Sequence, residues 1–235
     1  MLQERRTATR LRCGVLLLLA AFSIGCKPTP QGNSPPRGSL TIGVPEGVVE
    51  GTELGLQQLA TTLSVESLTQ LGADGRPLPK LAESWWWENK GRQLNLNLRP
   101  GIQFHDGTPL TAALAAQVIG DAVTRPSNRA LYTSLNDVTA VRSVGDRQLV
   151  FDLSQPSAFL PEDLELPLAH GSPAIGTGPY RVVKNDPAGV VLERFPKYYL
   201  GTPNIARVTI KPFDTLRTAW TSLLRGEVDM VTDVP

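Results

Sequence analysis

Few residues in this sequence could carry out chemistry. Only two histidines are present, His105 and His170, so a histidine-rich metal site cannot be built. The sequence lacks the short motifs of a serine nucleophile or a phosphate-binding loop, namely Gly-x-Ser-x-Gly, Ser-x-x-Lys and Gly-Lys. His105 and Asp106 stand together in a glycine-containing turn, which favours a structural role. We therefore assign no catalytic residue, metal ligand or cofactor, and we expect the protein not to be an enzyme.

Nucleotides and nucleic acids are also poor candidates for a partner. Gly176 and Gly178 have the spacing of part of a dinucleotide-binding fingerprint, but Pro179 and a hairpin pattern follow them where the fingerprint requires a helix. The pair therefore predicts a backbone turn. The 23 basic residues are balanced by 22 acidic ones, which leaves no basic field to attract nucleic acid.

Three consecutive tryptophans are the most unusual local feature. Alternation along a strand would turn Trp85 and Trp87 to one face and Trp86 to the other. We expect Trp85 in the core. Two interpretations of Trp86 stay open: packing beneath a neighbouring loop, which we favour, or a stacking platform for a sugar or peptide side chain or a docking contact for a partner.

The N-terminal residues have the pattern of a secretory signal peptide. Arginines precede the apolar run at residues 13–24, which is shorter than the ~20 residues of a membrane-spanning helix. The following Ser23 to Cys26 resemble the lipobox of bacterial lipoproteins, whose cysteine is acylated. This resemblance implies a signal peptide at residues 1–25 and lipid attachment at Cys26. The alternative is an ordinary secretory signal with a free Cys26.

Residues 26–38 follow as a tether. Prolines alternate there with polar residues and no apolar face is formed, so the segment should be extended. With a lipid on Cys26, the protein would stand on the extracytoplasmic face of a membrane in the cell envelope. We expect the folded domain to occupy residues 39–235.

Short elements should position the remaining residues. A β-rich run at residues 39–44 predicts a strand that ends in a loop. Apolar residues at intervals of three to four predict one helix over residues 52–71, and Thr111 should cap a second helix. Asp214 should cap a third helix. Its apolar face would consist of Leu216, Ala219, Trp220, Leu223 and Leu224.

The rest of the sequence predicts β-hairpins. Turn residues separate pairs of alternating segments, and we expect one face of the strand around Asn95 and Asn97 to be solvated. The predicted pairs are residues 83–88 with 94–98, 137–144 with 148–153, and 179–184 with 190–195. Single strands are predicted at residues 206–213 and from residue 227 onward.

Four ordered blocks resemble the extracellular solute-binding protein family 5, the peptide, nickel and oligopeptide receptors of ABC importers. The blocks are GRPLP with LAESW at residues 75–85, LRPGIQFHDGTPLTA at 98–112, GTGPYR at 176–181 and LRGEVD at 224–229. The resemblance implies an α/β fold, the first lobe of a type II periplasmic binding protein with a mixed sheet and helices. It also implies an inserted, hairpin-rich α+β subdomain. Because family members are considerably longer, we expect the second lobe to be missing.

The resemblance implies the function of a substrate-binding component that captures a small solute, for which we expect a peptide, and delivers it to the membrane subunits of an ABC permease. A separately encoded second lobe would be a further partner. The alternative is a truncated, non-transporting lipoprotein that acts as an interaction module or is inactive. The ligand would contact the loop after the opening strand, although a plain surface turn is an equal alternative there. That loop comprises Pro45, Glu46, Gly47, Val48, Val49 and Glu50.

Overall fold

The structure is a computed structural model that describes residues 38–45, 54–171 and 175–232. The predicted signal peptide, Cys26 and the tether up to residue 37 lie outside the described residues. So do Glu46, Gly47, Val48, Val49 and Glu50 of the predicted ligand loop. Pro45 is the only residue of that loop that is described, and it ends the first strand.

Short strands and helices make up most of the described chain. The strands are β1 (Ser39–Pro45), β2 (Thr69–Leu71), β3 (Pro77–Pro79), β4 (Ala82–Glu88), β5 (Gln93–Leu98), β6 (Val138–Val144), β7 (Gln148–Leu153), β8 (Tyr180–Asp186), β9 (Gly189–Arg194), β10 (Arg207–Phe213) and β11 (Met230–Val231). The helices are α1 (Leu54–Ser64), α2 (Ala112–Thr124), α3 (Pro126–Leu131), α4 (Leu160–Asp163) and α5 (Leu216–Leu224). All three predicted hairpins are confirmed, as β4–β5, β6–β7 and β8–β9.

The first sheet is mixed, in the order β11–β1–β10–β9–β8. β1 runs parallel to β10 and β11, whereas β8, β9 and β10 are joined in antiparallel pairs. α1 covers one face of this sheet, where its Leu56 and Ala60 are buried with Ile42, Val190 and Ile210. The mixed sheet with helices agrees with the fold class that the sequence predicts.

The second sheet is inserted between β1 and β8. It is antiparallel, in the order β4–β5–β7–β6, and α2 packs against it. The Thr111 hydroxyl accepts the Leu114 N–H at 3.2 Å, so the predicted cap of α2 is confirmed. Leu94, Leu96 and Phe151 are fully buried in the core of this unit, which is the hairpin-rich subdomain that the sequence predicts.

The three tryptophans alternate between the two faces of β4 as predicted, but the surroundings of Trp86 differ from the prediction. Trp85 and Trp87 pack against the core, whereas Trp86 is 38% exposed and donates its indole N–H to Glu88 at 3.0 Å. Packing of Trp86 beneath a loop, the favoured interpretation, was therefore wrong. The prediction that Asn95 is solvated was also wrong. Its side chain is buried and accepts a hydrogen bond from Gln148.

The first predicted helix ends earlier than its apolar pattern suggests. α1 ends at Ser64, and residues 69–71 form β2. The Ser64 carbonyl accepts the N–H of Gly178, and the Glu66 carbonyl accepts the N–H of Leu168. These partners lie more than a hundred residues further along the chain, so tertiary hydrogen bonds replace the helical ones that the local pattern predicts.

The last helix also differs from its prediction. Thr215, one residue after the predicted Asp214, is the N-cap, and Thr215 and Thr218 form a capping box. Ala219 is buried as predicted, but Leu216, Trp220 and Leu224 are exposed. Gly226 follows with a φ of 71°, the left-handed conformation that ends many helices.

Candidate functional site

An open cleft of about 850 Å3 lies beside the exposed face of α1. Its volume is within the range of ~300–1,000 Å3 that is usual for small-molecule sites. The described lining residues are Gln57, Gln58, Thr61, Thr62, Val65, Glu66, Ser67, Gln70, Lys80, Glu165, Pro167 and Pro179. They come from α1, the turn after it, the β2–β3 hairpin, the segment after α4 and the residue before β8.

The wall formed by α1 is polar but uncharged. Gln57, Gln58, Thr61 and Thr62 are exposed on this side of the helix, because the buried residues of its other side face the first sheet. Gln57 exchanges two amide hydrogen bonds with Asn185 of β8, at 3.1 and 3.2 Å. The helix therefore offers the cleft donors and acceptors on a surface that is tied to the sheet.

Glu66 is the charged centre of the cleft wall. Its side chain is only 2% exposed and lies 3.2 Å from the Lys80 ammonium nitrogen. Three neutral groups also donate to its carboxylate, the hydroxyls of Tyr198 at 2.7 Å, Tyr199 at 3.3 Å and Thr177 at 3.2 Å. A buried carboxylate requires such partners. Together with Glu66 itself, these partners belong to four separate segments of the chain, which the carboxylate holds together.

The surroundings of Glu66 raise the pKa of both tyrosine hydroxyls. Burial raises the pKa of the Tyr198 hydroxyl far above its usual value, and the hydrogen bond to the Glu66 carboxylate raises it further. Burial and the Glu66 charge likewise raise the pKa of Tyr199. Both hydroxyls therefore stay protonated and can donate to the Glu66 carboxylate.

Of the loop that the sequence predicts to contact the ligand, only Pro45 is described. Pro45 ends β1, opposite Phe213 of β10, and is not among the described residues that line the cleft. Lys80 lies between the sequence blocks GRPLP and LAESW, where a single charged residue gives no signal of a site. Glu66 had one local signal, a charge inside an apolar stretch that otherwise predicts a helix.

His105 joins the turn at residues 104–108 to the Gly176–Gly178 segment. Its backbone N–H donates to Gly176 O at 3.0 Å, and its Nε2 donates to Gly178 O at 2.9 Å. The ring packs edge-on against Phe195. Burial lowers the pKa of His105 below its ordinary value of 6.5, although the bond to Gly178 opposes the shift. The two contacts give His105 a structural role, as the sequence predicts.

The folded protein is expected to lose stability through His105 as the pH falls below about 6.5. Since the folded pKa is lowered, the unfolded chain binds more protons in this window and is favoured by acid. His105→Gln, which keeps a side-chain N–H donor, removes this dependence. Urea unfolding of both proteins at about pH 7.5 and about pH 5.5 measures it.

The free energy of unfolding should fall more for the wild-type chain than for His105→Gln between these two pH values. An equal loss in both proteins would contradict the structural assignment of His105. The neighbouring Asp106 does not titrate between these two pH values. A hydrogen bond from the Thr108 backbone lowers the pKa of its carboxyl from an ordinary 3.8, which is already below the range.

The described part of the chain holds neither a metal cluster nor a membrane-spanning helix. No three His, Cys, Asp or Glu side chains in residues 38–45, 54–171 and 175–232 group closely enough to hold a metal ion. None of the helices in those ranges is long and apolar enough to cross a bilayer.

Comparison with known proteins decides the family. The sequence model of the family described as bacterial extracellular solute-binding proteins, family 5 Middle, matches residues 76–235, which is more than half of the chain. The chain belongs to this family. The solute-binding role of family 5 agrees with the predicted function at the level of the whole family.

Two curated relatives that match most of this chain bind different solutes. A glutathione-binding protein, GsiB of Pectobacterium atrosepticum, is 28% identical over 77% of this chain and 38% of its own length. A nickel-binding periplasmic protein of Escherichia coli is 25% identical over 74% of this chain and 37% of its own length. The chain therefore spans less than half the length of these curated relatives.

A solved structure shares the fold. NikA from Brucella suis in complex with Fe(III)-EDTA superposes with a TM-score of 0.72 at 22% identity, over 81% of this chain and 42% of that one. At this identity the likeness establishes the fold alone. It confirms that the two sheets form the type II binding-protein architecture expected from the sequence.

Proposed function

We propose that this chain is the first-lobe part of the substrate-binding component of an ABC importer, and that it captures a peptide outside the membrane for delivery to a permease. The family description supports solute binding, and the relative that binds glutathione, a tripeptide, supports a peptide as the solute. Energy for transport would come from the importer, so the lobe needs to bind and release its ligand without covalent chemistry.

The observation that carries the peptide assignment is the lining of the cleft. A peptide backbone presents alternating N–H donors and carbonyl acceptors. Gln57, Gln58 and Gln70 each offer both an amide donor and an amide acceptor, the hydroxyl of Thr61 can also do both, and the hydroxyl of Thr62, which donates to Gln58 O, can accept. Neutral groups of this kind bind any peptide backbone with little dependence on its side chains.

The remaining predictions place the lobe in the cell envelope. We propose that residues 1–25 are a signal peptide, that Cys26 is lipidated and that residues 26–38 tether the domain at 39–235. Residues 45–50 would contribute a further part of the ligand surface. A separately encoded second lobe would close over the ligand.

Binding to the described cleft alone should be weak. An open cleft covers one side of a ligand, whereas two lobes that close around a ligand bury most of its surface. We therefore expect a Kd weaker than about 0.1 mM for short peptides, or roughly −5.5 kcal/mol. Affinity in the importer would depend on the surfaces that cover the other sides of the ligand.

Thr62→Trp should weaken the binding of trialanine about tenfold or more, because the large ring fills the cleft beside α1. Thr221→Trp on α5 is the matched control. Both threonines are exposed, and each donates its hydroxyl to the carbonyl four residues earlier in its helix. Titration of the isotope-labelled chain by NMR measures the two affinities.

The control variant should bind trialanine like the wild-type chain. Equal binding by Thr62→Trp and Thr221→Trp would place the ligand elsewhere. If trialanine does not bind the wild-type chain at all, the alternative of a non-transporting lipoprotein that acts as an interaction module is favoured.

A further inference from the structure

Trp86 lies on the face of the second sheet that is turned away from the core. Its neighbours Trp85 and Trp87 pack against the core, and alternation along β4 turns Trp86 the other way. The register of the four strands then defines the twelve residues of this outer face. They are Ser84, Trp86, Glu88, Gln93, Asn95, Asn97, Ala140, Arg142, Val144, Gln148, Val150 and Asp152.

A hydrogen bond fixes the orientation of the Trp86 ring. The indole N–H donates to Glu88 Oε1 at 3.0 Å, two residues further along the same edge strand. The side chain is nevertheless exposed, so part of the ring is open to solvent. A flat aromatic surface that is already held in place loses little conformational entropy when a ligand stacks on it.

The positions around Trp86 on this face are polar. The nearest ones are two along β4 and three on β5, at ~5 Å directly across and ~7–8 Å diagonally. They are Ser84, Glu88, Gln93, Asn95 and Asn97. The centre of a protein–protein interface is more apolar than this and is depleted in charged residues. The surroundings of Trp86 therefore favour a small hydroxylated ligand over a protein partner.

Asn95 supplies a second, independent signal. It lies directly opposite Trp86 and is 2% exposed, and its Oδ1 accepts the Gln148 Nε2–H at 3.2 Å. Its Nδ2 has no hydrogen-bond partner among the described residues. Since a buried donor without a partner is costly, a ligand hydroxyl that reached this nitrogen would remove that cost.

The remaining polar groups of this face suit an uncharged ligand. Glu88 can accept further hydrogen bonds, because a carboxylate has about four acceptor positions. Asn97 lies opposite Gln148, and each of these two partly exposed amides can both donate and accept. Arg142 donates to Asp152 at 3.0 Å, so these two charges offset each other.

We propose that the outer face of the second sheet is a saccharide-binding surface on which a β-linked hexopyranose stacks against Trp86. Such a sugar has an apolar C–H face and a rim of hydroxyls, which match the indole ring and the amides and carboxylate around it. None of the described residues that line the cleft belongs to this face. The site is therefore separate from the cleft and goes beyond the proposed function.

Titration of the isotope-labelled wild-type chain with cellobiose, followed by NMR, tests this site. The indole N–H signal of Trp86, identified by its absence from Trp86→Phe, should shift with a Kd of roughly 1 mM. Maltose should bind at least about threefold more weakly, because its α-linkage turns the two sugar rings out of one plane.

Variants then assign the effect to Trp86. Trp86→Ala should weaken the binding of cellobiose about tenfold, the upper end for an aromatic contact, and Trp86→Phe should weaken it less. Trp220→Ala is the matched control, because Trp220 is also an exposed tryptophan but lies on α5. It should bind cellobiose like the wild-type chain.

Equal affinity of Trp86→Ala and Trp220→Ala for cellobiose would overturn the proposal. So would an unchanged Trp86 indole signal in the wild-type chain at about ten times the expected Kd, or maltose binding as tightly as cellobiose. Thr62→Trp, which fills the cleft, should leave cellobiose binding intact. A loss of cellobiose binding in Thr62→Trp would place the sugar in the cleft and contradict a separate site.

Discussion

Replacing Glu66 by alanine is expected to lower the free energy of unfolding by about 3 to 5 kcal/mol, the usual cost of removing one partner of a buried ion pair. The substitution leaves the Lys80 ammonium without its ionic partner and deprives Tyr198, Tyr199 and Thr177 of an acceptor. Unfolding in urea, followed by circular dichroism, measures the loss.

Glu83→Ala is the matched control for this experiment. Glu83 is also paired, with Arg147 at 3.5 Å, but both side chains are exposed. Exposed pairs contribute about 0–1 kcal/mol, so this variant should unfold close to the wild-type midpoint. If Glu66→Ala were no less stable than Glu83→Ala, the carboxylate would not be the centre that joins the cleft wall.

Gly178→Ala is expected to destabilise the protein by about 3 kcal/mol, at the upper end of the cost of overpacking a buried site. A Cβ atom at this position would lie 2.7 Å from the carbonyl carbon of Ser64 and 2.8 Å from the carbonyl oxygen of Leu63. Both are backbone atoms at the end of α1, so no flexible side chain can move aside. The loss would be read from urea unfolding.

Gly120→Ala should have the opposite sign. Gly120 lies inside α2, and a Cβ there would meet no atom within 4 Å. Alanine favours a helix interior by ~1 kcal/mol over glycine, so this variant should be more stable than wild type. A Gly178→Ala protein as stable as Gly120→Ala would contradict the close approach of the GTGPY segment to α1.

Sequence patterns predicted the elements that depend on local chemistry. The three hairpins follow from alternating residues on either side of turn residues, and the start of α2 follows from the hydroxyl of Thr111. The end of α1 could not be predicted in this way. Its apolar spacing continues to Leu71, and the residue that ends the helix, Gly178, is distant in sequence.

The cleft was harder to predict than the fold. Its lining runs from Gln57 to Pro179 and is brought together by pairing of β2 with β3 and by the packing of the chain after α4. No local motif marks Glu66 as a buried carboxylate with four donors, since Tyr198 and Tyr199 lie over a hundred residues away. By contrast, the structural role of His105 was predictable because its turn has a glycine at the required position.

Titration of the isotope-labelled wild-type chain with trialanine, followed by NMR, shows whether the cleft beside α1 binds a peptide. We expect saturable shifts of the amide signals of α1, Lys80 and Glu165, with a Kd of about 0.1 mM or weaker, and the loss of these shifts in Thr62→Trp. Shifts confined to surfaces away from these residues, or no shifts at millimolar peptide, would contradict it.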